Sequence, residues 1–153
     1  MENTDRENNR LIMSVHDLER CQTFLRELTT QIYGTHTYEA LLLTSIIFYA
    51  RPFSSNERDV NAKAASRVSP AVLSDLSEEE RNLHNMLLLI RNKAIAHAEW
   101  TFHPTGVTKN HIIQSRPFSI WGYFRGWKDI ESFYNLAGKV LLKAHSLIGN
   151  NLR

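Results

Sequence analysis

The chain has 153 residues, a length that suits one domain with one buried core. Hydrophobic residues are 42% and charged residues 22%, which excludes a disordered chain, and a net charge of +2 does not by itself point to an acidic partner. One cysteine, Cys21, excludes an intramolecular disulfide and a thiolate-rich zinc site, and fits a reducing compartment.

The first helix is expected over residues 10–32, where Leu11, Val15, Leu18, Cys21, Leu25, Leu28 and Ile32 recur at three- and four-residue steps. Residues 1–9 are polar, lack the apolar centre of a signal peptide and are expected to be disordered. Gly34 is a natural stop. A second helix runs from Thr37 to Arg51, apolar nearly all round and so central, and Pro52 ends it. Its most apolar stretch, 41–50, is about half a bilayer span and holds Thr44 and Ser45; no membrane segment is expected, and the chain reads as cytoplasmic.

A polar connection follows, with a short helix expected over 70–76. The third helix begins at Ser77, where Ser77 and Glu80 form a capping-box pattern, and runs through the apolar residues 86–90 to about His97. The fourth spans Asp129 to Ile148, with Gly149 as its stop. Residues 99–128 read as irregular chain or a small hairpin, with Pro104-Thr105-Gly106 as the turn. The expected fold is all-α: a single domain over 1–153, built as a four- to five-helix bundle with an insertion between its last two long helices.

An arginine and a histidine separated by five residues occur twice, at Arg10–His16 and Arg91–His97. Arg91 is followed by the polar Asn92 and directly follows the apolar run, which fixes it to a rigid element near the core. Arg10 is followed by Leu11, in a first turn expected to fray. The segment from Arg91 to His97 resembles the motif of HEPN domains, helical nucleotide-binding and ribonuclease domains. Their signature is an arginine, a polar residue and then a histidine late in a helical hairpin or bundle. The resemblance implies a metal-independent endoribonuclease acting on single-stranded RNA in a toxin–antitoxin or anti-phage defence system. It implies a homodimer with a composite site, an antitoxin or operon partner protein, and neither cofactor nor metal. Arg91 would stabilise phosphate, His97 would transfer protons and Asn92 would orient.

The chemistry suits these residue types. Cleaving RNA without a metal needs a base for the 2′-hydroxyl, an acid for the leaving 5′-oxygen and a cation against the charge growing on phosphorus. Histidine titrates in the required range, and arginine offers a permanent forked cation. In one regular helix, six steps place Arg91 and His97 about 120° apart and about 9 Å along the axis. A two-fold axis beside the helix, or unwinding before His97, would bring such groups together. Arg91 also suits neutralising a carboxylate or helix-end carbonyls, and His97 capping the helix, so a non-catalytic RNA-binding or protein-interaction module is the alternative.

Residues 100–128 contain no acidic side chain but hold Lys109, Arg116, Arg125 and Lys128 among seven aromatics: Trp100, Phe102, Phe118, Trp121, Tyr123, Phe124 and Trp127. Cations interleaved with rings suit single-stranded RNA, and rings that close the bundle are the competing reading. His84, two turns before Arg91 on the same face, is an accessory candidate beside Tyr49 and Arg51. His103 and His111 lack the companions of a metal site. There is no Gly-rich phosphate loop, nucleophile elbow or dinucleotide fingerprint.

Overall fold

The computed structural model describes residues 3–55, 63–96, 103–110 and 113–151. Four long helices carry it: α1 (Asn3–Glu27), α2 (His36–Ala50), α3 (Glu78–Ile90) and α4 (Trp127–Asn151). The described residues add one two-stranded sheet, β1 (Thr105–Val107) with β2 (Ile113–Ser115), so the fold is an all-α bundle with a small hairpin between α3 and α4. None of the helices, over the described residues, is long and apolar enough to cross a membrane.

The stripe expected for the first helix is the buried face of α1: Leu11, Val15, Leu18, Cys21, Leu25 and Leu28. Its boundaries differ from expectation. Residues 3–9, expected to be disordered, are helical, because tertiary bonds hold these turns. Asn9 Nδ2 donates to Lys63 O at 2.6 Å, and Ala65 N donates to Arg6 O at 2.9 Å. At the other end α1 gives way to a 3₁₀ turn at Leu28–Thr30, and Ile32, assigned to the apolar face, is 77% exposed. Gly34 takes φ +83°, a conformation most side chains disfavour, and Thr35 Oγ1 then accepts from Tyr38 N–H to cap α2.

α2 is central, with Tyr38, Leu42, Ile46, Tyr49 and Ala50 all buried. Beyond it Arg51–Phe53 form a 3₁₀ turn in which Pro52 is accommodated. The carbonyls at this end are met by a residue misjudged from sequence. Arg10 does not fray; it is 3% exposed, and its Nη2 donates to the carbonyls of Arg51 (2.8 Å), Pro52 (2.9 Å) and Ser54 (3.3 Å). Ser54 N also donates to Arg51 O and Val68 N to Pro52 O, so the buried guanidinium adds a charged donor to carbonyls of the turn that follows α2, serving several at once. Its Nε is buried with no partner among the described residues.

α3 starts on the expected capping box: Glu80 N donates to Ser77 Oγ, and Ser77 N donates to the Glu80 carboxylate at 2.7 Å. The Glu80 carboxylate also accepts from Lys139 Nζ of α4 at 2.8 Å. α4 packs chiefly on α1, burying Ile130, Phe133, Leu136, Ala137, Val140 and Ala144. Each large apolar side chain so buried contributes about 1.5–3 kcal/mol. Gly149, expected to stop this helix, lies inside it, since α4 runs to Asn151.

In the hairpin Gly106 is not a turn residue; it pairs with Gln114 in the β1–β2 ladder, and the reversal lies beyond β1, with Lys109 and Asn110 in a turn. Most described aromatics of the insertion pack: Phe124 is buried, and Phe118, Trp121 and Tyr123 lie against the core. Trp127 is exposed. Trp100, Phe102 and His111 lie outside the described residues.

Candidate functional site

α3 does not continue as a regular helix to His97. At Ile90 it passes into a π-helical turn, Arg91–Ile95, closed by the bond from Ala96 N to Arg91 O at 2.9 Å. One extra residue per turn re-aims the side chains beyond the switch, and such turns recur at functional sites. The switch falls on the segment that carries Arg91 and Asn92. The angular argument for a regular helix therefore does not apply across this segment. His97 lies outside the described residues.

Arg91 is half-buried, and its Nη1 donates to Asn92 Oδ1 at 2.8 Å. Both line a pocket of about 310 Å³ with Leu88. The facing wall comes from the chain after α2, at Phe53, Ser54 and Ser55, and from Arg67. Two guanidiniums, two serines and one amide thus converge on one opening. A helix C-terminus carries roughly half a negative charge, which two full positive charges outweigh, so an anion is favoured there.

The facing wall is held by α1. Arg10 grips the carbonyls at 51, 52 and 54; Val68 N donates to Pro52 O at 3.0 Å; and Asn9 and Arg6 hold the irregular chain at 63–65. Beneath Phe53 lies His84. Its ring is 4.6 Å from the Phe53 ring and edge-on to it, and its Nδ1 shares a 2.9 Å hydrogen bond with Tyr49 Oη. Burial, then the nearby Arg81 charge, pushes the His84 imidazole down to about 4. Burial likewise raises the Tyr49 phenol well above its usual range. Both accessory residues therefore stay uncharged near neutral pH and act as packed support under the pocket wall.

Arg51 turns the other way. Its Nη1 pairs with Asp17 of α1 at 3.2 Å, and its guanidinium lies 5.1 Å from the Phe48 ring centre. Burial raises the Asp17 carboxyl, with Arg51 the main opposing influence. The four basic residues of the insertion split into two places. Lys109 and Arg116 belong to the hairpin, and Arg125 and Lys128 stand at the start of α4. His103 joins the insertion to the π turn: Phe118 N donates to its Nδ1 at 3.2 Å, so its Nε2 carries the proton and donates to Ala94 O at 3.3 Å. Among the described residues no three histidine, cysteine or carboxylate side chains gather as a metal site.

Sequence reasoning missed Arg67, Ser54 and Ser55, which reach the pocket only through tertiary folding. It also missed Arg10, although a signal existed. Arg10, Ser14, Leu18, Cys21 and Leu25 follow three- and four-residue steps, which puts the arginine on the buried stripe. No protein-family model, curated protein or solved structure matches this chain.

Proposed function

We propose that the chain is a HEPN-type, metal-independent endoribonuclease that cleaves single-stranded RNA at the end of α3. One observation carries the reading: Arg91 and Asn92, singled out by their resemblance to the HEPN motif, share a cationic pocket with Arg67, Ser54 and Ser55 at a π turn. In this mechanism the scissile phosphate lies against Arg91 and Arg67, whose forks oppose the charge growing on the phosphorane. His97 moves the proton from the 2′-hydroxyl or to the departing 5′-oxygen, and Asn92 holds the Arg91 fork through its 2.8 Å bond. A second copy, related by a two-fold axis beside α3, supplies the other histidine. Leu89, 46% exposed two residues before Arg91, offers an apolar contact for that pairing. A cytoplasmic defence role with an antitoxin partner follows from the resemblance.

The test is cleavage of single-stranded RNA in EDTA, read for a 2′,3′-cyclic phosphate end. His97→Ala should lower the rate by about 10²- to 10⁴-fold. Arg91→Ala should be severely impaired and Arg91→Lys partly restored, because lysine cannot present a planar fork. His16→Ala is the control: His16 is exposed beside Glu19 and should leave the rate unchanged. Full activity in His97→Ala, or activity that requires a divalent ion, would overturn this mechanism, and RNA binding by the wild type without cleavage would favour the non-catalytic RNA-binding module.

A further inference from the structure

A second pocket, of about 290 Å³, lies where the α1–α2 connection meets the start of α4. Leu28, Tyr33, Tyr38, Arg125, Gly126 and Trp127 line it. Tyr38 is in the first turn of α2, whereas the Arg91 pocket begins just beyond that helix, at Phe53. The 15 residues of α2 put the two about 22 Å apart.

This pocket exposes ring surface in a rigid setting. Tyr33 is 50% and Trp127 53% exposed. The Tyr33 ring is 5.4 Å from Tyr38 and 5.1 Å from Trp121, and its hydroxyl donates to Phe124 O at 3.2 Å. A cation stands at the rim. Arg125 is anchored by its own N–H, which donates to Asp129 Oδ2 at 2.8 Å, and by Nε, which donates to Gly122 O at 3.4 Å. Gly126 lines the opening beside Arg125.

We propose that this pocket is a nucleotide-binding subsite, in which a base stacks on Tyr33 and Trp127 and its phosphate pairs with Arg125. Exposed rings accept any base by its π face, and a planar guanidinium matches phosphate oxygens. The assignment does not need the π-turn pocket to be catalytic. The nucleotide is either free in solution or one residue of a bound strand. The strand version rests on the ribonuclease reading and sets a length: the pockets are about six nucleotides apart at a stacked spacing of about 3.4 Å.

The experiment uses the full chain and two probes: AMP, and a labelled single-stranded RNA of about ten nucleotides, within the usual site size. Binding is read by anisotropy for RNA and by titration calorimetry for AMP, which does not depend on the tryptophan replaced. Trp127→Ala should weaken binding of the responding probe by about 5- to 100-fold, Trp127→Phe should restore most of it, and Arg125→Glu should weaken it too. Trp127 is half exposed, so these proteins should keep the wild-type melting temperature. Saturable AMP binding lost in Trp127→Ala identifies a free nucleotide. A response confined to RNA, and stronger for the ten-mer than for a trinucleotide, identifies a strand. Wild-type affinity for both probes in Trp127→Ala and Tyr33→Leu overturns the subsite, as does failure of the wild-type chain to bind either. Repeating the measurement in His97→Ala separates the two proposals: the subsite should bind normally in a chain that does not cleave.

Discussion

The buried His84 makes a quantitative demand on stability. In the folded chain its imidazole is 6% exposed, touches Tyr49 and Phe53, and titrates near 4 rather than at its ordinary value of 6.5. Between these two values the unfolded chain binds a proton that the folded chain refuses. Stability therefore rises with pH across that window, and is lost as pH falls from about 6.5 to about 4. At about 1.36 kcal/mol per pKa unit the full contribution is about 3 kcal/mol, a large fraction of a domain's stability. Urea unfolding of the wild type and of His84→Gln at pH 7, and at steps down to about 4.5, isolates this term from the carboxylates common to both. The wild type should lose stability over the window faster than the variant. Parallel losses in the two proteins, or an NMR titration midpoint for His84 near 6.5, would refute the reasoning.

Arg10→Met should destabilise the fold by about 2–4 kcal/mol, because it strips three carbonyls at the end of α2 of a charged donor; a loss under about 0.5 kcal/mol in urea unfolding would contradict that role. Gly138→Ala should be neutral or stabilising by up to about 1 kcal/mol. A Cβ there meets only the end of the flexible Gln22 side chain, at 2.7 Å, and alanine favours the helix; a drop beyond about 1 kcal/mol would mean that Gln22 cannot swing aside.

The parts of the fold legible in the sequence are those with local causes. The α1 and α4 stripes follow from a 3.6-residue period, the start of α3 from a capping box, and the end of α2 from Pro52. Ends decided by distant contacts were not legible. Residues 3–9 are helical because the chain at 63–65 bonds to them, and Gly149 does not stop α4 although glycine ends many helices. The same division applies to the site. Arg91 and Asn92 stood out because they follow an apolar run, whereas Ser54, Ser55 and Arg67 are polar residues in irregular chain whose convergence is tertiary. Tyr49 and His84 illustrate the remaining case. An all-round apolar α2 foretold that Tyr49 would be buried, but not that its hydroxyl would meet a histidine 35 residues away.

His103 ties the two informative segments together, and that link can be tested. A helix end leaves carbonyls without intrahelical donors, and α3 has no glycine cap to cover them. The insertion supplies a donor instead: His103 Nε2 reaches Ala94 O, while Nδ1 takes the N–H of Phe118. One imidazole therefore clamps the π turn to the chain that follows β2. His103→Leu removes both bonds and should cost about 1–3 kcal/mol locally. Because the damage is at one end of the bundle, hydrogen exchange should locate it. The Ala96 amide, which bonds to Arg91 O, should exchange about 5- to 100-fold faster, while amides in the middle of α1 and α4 keep their protection. His103→Gln should recover part of the loss, since an amide can both donate to Ala94 O and accept from Phe118 N–H. If Ala96 exchanges at the wild-type rate in His103→Leu, the π turn holds itself and the insertion does not set the geometry of the Arg91 pocket.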